Sequence, residues 1–189
     1  MKALIKKRPQ KNKKWHEGLE LVQKPEPKIK NPNEVKIKVL AAGICGTDVS
    51  IYKGTEALKN SMSSLKTKDV IVGHEFCGQI QEAGKAALQK IINNLLGQSF
   101  KSKKINAFLH NYRKGNVKST KEPLSFLKEN FYATAEMHLM CSRCYQCKIG
   151  EKHVCQNTRI KGLHEDGAFA EYVVVPVENL ILLPKGEIP

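Results

Sequence analysis

Long apolar runs are absent from this chain of 189 residues. The longest, YVVVPV and LILLP, fall far short of the roughly 20 residues that a membrane-spanning helix needs. The basic N-terminus is not followed by the apolar segment of a secretory signal peptide. The sequence therefore predicts neither a membrane protein nor a secreted one, and we expect the protein in the cytoplasm.

Acidic residues are scarce relative to basic ones. The chain has 18 Asp and Glu against 32 Lys and Arg, which gives a formal net charge of +14. Ten basic and two acidic residues fall within 85–130, and a second basic run, KKRPQKNKKW, covers residues 6–15. Clustered lysines are typical of nucleic-acid binding, but they also form the solvated faces of lysine-rich proteins. We favour solvated faces and expect no nucleic-acid partner.

Both flanks of the chain have the period-two pattern of strands. In NEVKIKVLAAG, the apolar Val35, Ile37 and Val39 alternate with lysines, as in a half-buried strand. Further strands are predicted in DVIVGHEFCGQI, FYATAEMHLM, AFAEYVVVPV and NLILLP, which are separated by Gly and Pro residues. The flanks are therefore expected to be mainly β.

The middle of the chain, residues 85–130, has helical periodicity instead. Apolar residues recur there at spacings of three and four, as on one face of a helix. They are Leu88, Ile91, Ile92, Leu95 and Leu96, ended by Gly97, and then Ile105, Phe108, Leu109 and Tyr112. A third helix is expected from Thr120, with Leu124 and Leu127 on its buried side. We interpret 85–130 as a basic helical insertion: a docking arm for an acidic partner or nucleic acid, a surface hairpin, or the product of a disrupted gene.

Four cysteines stand within CSRCYQCKIGEKHVC, the segment 141–155. Cys141, Cys144, Cys147 and Cys155 have the spacing C-x2-C-x2-C-x7-C. A short lobe of this kind can offer four thiolates to one tetrahedral zinc at about 2.3 Å, which leaves no open position and makes the site structural. The segment has no room for the helix of a nucleic-acid finger. His153 is the other candidate ligand here, and we expect it at the surface.

A second group of candidate ligands lies upstream of this lobe. Cys45 stands in GICGTDVS, and His74 and Glu75 stand in VGHEFCG. One sulfur, one imidazole nitrogen and one carboxylate form the mixed set in which zinc keeps a position open for substrate or water. Each residue alone has a structural explanation, as a buried thiol, a hydrogen-bonded histidine or a surface acid. Together with the lobe, they indicate a catalytic zinc.

These motifs resemble those of the zinc-containing alcohol dehydrogenases in the medium-chain dehydrogenase/reductase family. GHEFCGQIQEAGKAA, residues 73–87, is similar to the family signature G-H-E-x2-G-x5-G-x2-A. MKALIKK, ICGTD, the four-cysteine lobe and DGAFAEYVVVP follow in the order of the family. Within it, ICGTDV, ATAEMHLMC and CYQCKIGEKHVCQNT are most similar to the L-threonine 3-dehydrogenases. The resemblance covers about residues 1–84 and 131–189.

The resemblance implies that residues 1–189 form a GroES-like catalytic domain, a distorted and mostly antiparallel β barrel. It implies two zincs per chain: a catalytic one at Cys45 and His74, with Glu75 as ligand or exchangeable neighbour, and a structural one in the lobe. Thr47 takes the place of the hydroxyl that relays the alcohol proton. The implied chemistry is hydride transfer from a small alcohol, with L-threonine as the candidate, to NAD.

The sequence departs from the family pattern in three ways that bear on activity, one of which is the basic segment 85–130 in place of the family's short link. The sequence has no G-x-G-x-x-G after a strand, so a Rossmann cofactor domain is expected to be absent and the chain to be truncated. Ser50 stands where the family usually has His, and a serine is no base near neutral pH. Two hypotheses follow: a catalytic half that is inactive alone or completed by a separate cofactor-domain chain, or a non-catalytic zinc-binding module whose basic insertion binds a partner.

Overall fold

A computed structural model describes residues 1–10, 13–63, 67–117, 119 and 121–186 of the chain. Ten strands and six α-helices occur in these ranges. The strands are β1 Lys2–Lys7, β2 Glu20–Gln23, β3 Glu34–Gly43, β4 Asp69–Ile71, β5 Glu75–Ala83, β6 Phe131–Ala135, β7 His138–Leu139, β8 Arg159–Ile160, β9 Tyr172–Pro176 and β10 Leu180–Pro184. The helices are α1 Gly46–Lys53, α2 Glu56–Ser63, α3 Lys85–Leu96, α4 Lys103–Arg113, α5 Glu122–Asn130 and α6 Tyr145–Lys148.

The strands form antiparallel sheets, as the alternating pattern predicts. The largest sheet has five strands in the order β10-β6-β5-β3-β9, and a three-stranded sheet has the order β2-β1-β4. β7 and β8 form a two-stranded ribbon beside the cysteine lobe. The expected distorted barrel thus takes the form of three sheets in the described residues.

The main core lies between the five-stranded sheet and the helices of the middle segment. Val35 and Ile37 of β3 are fully buried, in keeping with their alternation with lysines. The same core contains Ile92 of α3, Ile105 of α4 and Leu127 of α5, each at most 1% exposed. The basic segment is therefore no detached hairpin, because its three helices bury their apolar stripes in the main core while their lysines face solvent.

The helical predictions for the middle segment are confirmed in position. α3 ends at Gly97 and α4 spans the second apolar stripe. α5 buries Leu127, with Leu124 partly buried. Thr120, the predicted start of this helix, lies outside the described residues.

Two of the predicted strands are interrupted in the structure. DVIVGHEFCGQI divides into β4 and β5 around Gly73, and FYATAEMHLM divides into β6 and β7. Gly73 has φ +86°, and a Cβ there would lie 2.3 Å from the Phe169 ring. The break is therefore set by a tertiary contact that the continuous apolar pattern does not reveal. α1 and α2, which the sequence analysis did not predict, lie on a second core that contains Trp15 and Ile51.

None of the helices in the described ranges is both long and apolar enough to cross a membrane.

Candidate metal centres

The four cysteines of the lobe converge on one point. The sulfur atoms of Cys141, Cys144, Cys147 and Cys155 all lie within 4.8 Å of one another. The Sγ atoms of Cys144 and Cys155 are 3.9 Å apart, close to the edge of about 3.8 Å that a tetrahedron with 2.3 Å zinc–sulfur bonds has. A disulfide would need sulfurs about 2.05 Å apart. The arrangement therefore fits a single tetrahedral metal ion.

Backbone N–H groups of the lobe point at two of these sulfurs. Ser142 has φ +55°, and this turn precedes the Cys144 N–H, which donates to Cys141 Sγ at 3.4 Å. N–H groups of Arg143 and Cys144 lower the pKa of Cys141 to about 6, and the Cys141 N–H lowers that of Cys155. Such N–H groups stabilise thiolates.

Cys147 has the opposite environment. Burial raises the pKa of its thiol to about 12, so a metal ion must displace a proton there when it binds. His153 takes no part in the group, because its side chain is 74% exposed and lies beside Glu151. The expectation of a surface histidine is therefore confirmed.

The second group joins two separate parts of the chain. Cys45 precedes α1 as its N-cap residue, and His74 and Glu75 stand at the start of β5. One ligand atom from each of the three lies within 4.8 Å of the others. His74 is buried, Cys45 is half-buried and Glu75 is exposed, so the group opens to the surface on the side of the carboxylate.

Unpartnered polar atoms indicate that this group suits a metal ion. His74 Nε2 is buried and has no hydrogen-bond partner among the described residues. A buried polar atom without a partner costs roughly 1–3 kcal/mol. A zinc ion beside Cys45 Sγ would satisfy this nitrogen, and sulfur, imidazole and carboxylate are all ordinary zinc ligands.

Glycines on both sides of the group leave space for it. Gly43 pairs with Glu75 across β3 and β5, and a Cβ at Gly43 would lie 3.0 Å from Glu75 Oε2. Gly73 is packed beneath the Phe169 ring and next to the loop that contains Gly162 and Gly167. The position of His74 thus depends on the packing of a distant segment against its preceding residue.

Two hydroxyl residues predicted to bear on the chemistry lie on α1. Thr47 Oγ1 is 3.8 Å from Cys45 Sγ, so its hydroxyl is adjacent to the metal-binding group. Ser50 is on the same helix and is half-buried.

Asp48 is a residue of this site that the sequence analysis missed. Its Oδ2 accepts a hydrogen bond from the Cys45 N–H at 2.9 Å, and its Oδ1 is 3.7 Å from His74 Nδ1. The side chain is 3% exposed. The spacing Cys45-x-x-Asp48 is that of a capping box, and this is the signal that would have found it. Asp48 therefore lies between the two halves of the group: it accepts a hydrogen bond from the Cys45 N–H and places a carboxylate oxygen beside the His74 imidazole.

The chain is similar to known proteins over most of its length. The model of the alcohol dehydrogenase GroES-like domain matches residues 31–95 and 112–185. The L-threonine 3-dehydrogenase of Caldanaerobacter subterraneus subsp. tengcongensis is 37% identical over 175 residues, which are 92% of this chain and 38% of that protein. That of Pyrococcus furiosus is 33% identical over 186 residues, 98% of this chain and 40% of that protein. The chain thus spans about 40% of these relatives' length.

Solved structures give the same fold. The alcohol dehydrogenase from Aeropyrum pernix superposes with a TM-score of 0.61 at 20% identity, covering 98% of this chain and 40% of that one. An alcohol dehydrogenase from Escherichia coli CFT073, solved with NADH, gives 0.60 at 25% identity and covers 98% and 39%. The predicted GroES-like fold is therefore confirmed.

Proposed function

Because the chain belongs to the alcohol dehydrogenase GroES-like domain family, we propose that it is the substrate-side domain of a zinc- and NAD-dependent dehydrogenase, one that oxidises a secondary alcohol to a ketone. The observation that carries this proposal is the convergence of Cys45, His74 and Glu75, with the buried His74 Nε2 lacking a protein partner. L-Threonine is the proposed substrate, since relatives with that activity in their names match nearly the whole chain.

In this proposal, Cys45 and His74 hold the catalytic zinc, with Glu75 as a ligand or exchangeable neighbour. When bound, zinc supplies Lewis acidity that favours deprotonation of an alcohol at this position. Thr47, whose hydroxyl is 3.8 Å from Cys45 Sγ, accepts the proton from the alcohol and passes it outward. Ser50 offers a hydroxyl further along α1, but it does not act as a base near neutral pH.

The lobe holds the second zinc, which is structural. Its four sulfurs fill a tetrahedral shell, so no position remains for substrate. All six cysteines of the chain are free of disulfides, as suits metal thiolates in a reducing compartment such as the cytoplasm.

The nicotinamide site lies outside these 189 residues. The sequence holds no G-x-G-x-x-G that follows a strand and opens a helix. We therefore propose that residues 1–189 form the GroES-like domain, with the lobe at 141–155, and that a further domain or a separate chain supplies the cofactor site. We propose that the helical segment at 85–130 contains an insertion in this domain. The family match includes residues 85–95 and 112–130 of the segment and leaves out only 96–111.

The alternative, a non-catalytic zinc module whose basic segment binds an acidic partner, has less support. The apolar faces of α3, α4 and α5 are buried in the main core. The surface that these helices leave exposed is rich in lysine, and such a surface is explained by contact with solvent without any partner.

Metal counting tests the two zinc sites separately. We expect two zincs per chain in the unmodified protein and one in each of His74→Ala and Cys144→Ser. Cys77→Ser is the matched control, because Cys77 lies outside both groups, and it should retain two. A count of two that persists in His74→Ala would contradict a zinc at the Cys45 group.

Activity is tested by formation of reduced cofactor from L-threonine and NAD. The chain should form no reduced cofactor alone. It should do so when mixed with the separately expressed part of the Pyrococcus furiosus relative that lies outside the match, and His74→Ala should abolish that activity. If the mixture forms no reduced cofactor although the chain binds two zincs, the dehydrogenase function is contradicted and the two metal sites are not.

A further inference from the structure

Two lysines of the described residues are buried, and their amines have different surroundings. Lys6 is 3% exposed and Lys161 is 9% exposed. Lys6 Nζ donates to three backbone carbonyls, those of His16, Gly18 and Tyr52, at 2.7–3.0 Å. All three hydrogens of this ammonium group are in hydrogen bonds, and Lys6 thereby links β1 to α1.

Lys161 makes no such bonds. The charged atom nearest to its Nζ is Glu165 Oε2 at 3.7 Å, which is too long for a hydrogen bond. In the part of the chain that the structure describes, no other partner of this amine is found. A buried ammonium ion whose ion-pair partner, Glu165, is shared with Arg159 is only partly compensated for the loss of water, and this favours the neutral amine.

The charges around Lys161 do not reverse that preference. Burial lowers the pKa of Lys161, while Glu165, Asp166 and Glu34 act in the opposite direction with smaller effect. These carboxylates have partners of their own: Glu165 pairs with Arg159 at 3.0 Å, and Asp166 accepts from the Ile71 N–H at 2.9 Å. Glu34 accepts the N–H groups of residues 30 and 31.

Lys161 lines a cavity of about 600 Å³. Apolar walls come from Ile71 and from Val173 and Val175 of β9. Lys28 and Lys30 stand at the same cavity and are exposed, and no ion pair of either occurs among the described residues. Lys24 and Glu26, the other charged residues of that wall, are paired with Asp69 and Lys36. Among the described residues of this cavity, the charges without an ion pair are those of the Met1 amine, Lys28 and Lys30 and those of Glu34 and Asp166. The positive charges exceed the negative ones by one even when Lys161 is neutral.

We propose that Lys161 is a carbonyl-reactive amine, which forms a Schiff base with a small anionic aldehyde or α-keto acid bound in this cavity. The amine lone pair attacks the carbonyl carbon, a carbon–nitrogen bond forms, and the carbonyl oxygen takes up a proton. Nitrogen gives up its protons, with the Glu165 carboxylate as the nearest acceptor, and the hydroxyl leaves with a proton as water. The condensation needs no oxidant or reductant.

Reductive trapping tests the proposal on the whole chain. The protein is incubated with glyoxylate and cyanoborohydride near neutral pH, and the modified lysines are mapped by peptide mass spectrometry. Since burial lowers the pKa of Lys161, a larger share of its amine is neutral at such a pH, and we expect Lys161 to be labelled severalfold faster than Lys28 or Lys30. Lys6 is the internal control, because it is also buried but fully hydrogen-bonded, and it should stay unlabelled. Equal labelling of Lys161 and the exposed lysines would overturn the proposal.

Substitutions distinguish the contribution of the Lys161 amine from that of the exposed lysines at the cavity. Lys161→Arg replaces the amine by a permanently charged guanidinium, which forms no Schiff base, and it should remove the fast label with the zinc count unchanged. Lys28→Met with Lys30→Met should slow labelling of Lys161 by glyoxylate severalfold but not by propanal, which is neutral. A label that is equally fast with both aldehydes in the unmodified protein would contradict the anionic preference. If Lys161→Arg fails to fold, the mapping in the unmodified protein still decides between the outcomes.

Discussion

The cysteine lobe and the Cys45 group are built in different ways. The lobe takes all four of its candidate ligands from fifteen consecutive residues, and its own backbone N–H groups donate to two of the sulfurs. The Cys45 group takes its candidate ligands from the N-cap of α1 and from residues 74 and 75 at the start of β5, and Asp48 lies between them. The first centre is local and closed, whereas the second is assembled by the tertiary fold and stays open. We therefore expect different substitutions to remove metal binding from the lobe and from the Cys45 group.

The largest effect is expected from a ligand of the lobe. Cys147→Ser should remove the structural metal, whose binding stabilises small zinc modules by about 10 kcal/mol or more. We expect loss of one zinc per chain and of hydrogen-exchange protection in 141–155, while β3 and β5 remain protected. Cys77→Ser should change neither quantity. Loss of protection throughout the chain would show that the lobe is no independent unit.

The next largest effect is expected from Gly73, which lies beside the Cys45 group. In Gly73→Ala the new Cβ would meet the Phe169 ring at 2.3 Å, at a φ of +86°. A non-glycine residue at such a φ costs about 1–3 kcal/mol before the clash is counted. We expect a lower free energy of unfolding in urea and loss of the Cys45 zinc, with the lobe zinc retained.

Gly97→Ala is the matched control for that substitution. Gly97 ends α3 with φ −84°, and the nearest atom to a Cβ there is 3.6 Å away. Its unfolding free energy should change by no more than about 0.5 kcal/mol. If both alanine variants behave alike, the packing around Gly73 does not position His74.

The same contrast explains how much of the molecule the sequence predicts. The lobe is visible in the sequence because its ligands are close together, and α3 and α4 are visible because their apolar residues repeat at helical spacing. The break at Gly73 is not visible, since it depends on Phe169, almost a hundred residues later. The burial of α3–α5 in the main core is hidden for the same reason. Periodicity identifies the apolar face of a helix but not the surface that covers it.

Asp48 provides a smaller and more selective test. Asp48→Asn keeps an acceptor for the Cys45 N–H but removes the charge beside His74 Nδ1. Loss of such a supporting group typically weakens metal binding about 10- to 100-fold. We expect the Cys45 metal to be lost at lower chelator concentration while the lobe metal is unaffected. Equal loss from both centres would mean that the substitution acts on global stability.

The smallest effect is expected from Asn157, which supports the lobe from outside. Its Nδ2 donates to Cys141 Sγ at 3.6 Å, and the residue is exposed. Water can replace an exposed donor, and the Cys144 N–H already donates to the same sulfur. Asn157→Ala should therefore weaken metal binding by the lobe by less than about 1 kcal/mol, or roughly fivefold. Competition with a chelator of known affinity measures both this change and that of Asp48→Asn. The local centre should tolerate loss of its side-chain support better than the assembled one, and an Asn157→Ala effect larger than that of Asp48→Asn would overturn this distinction.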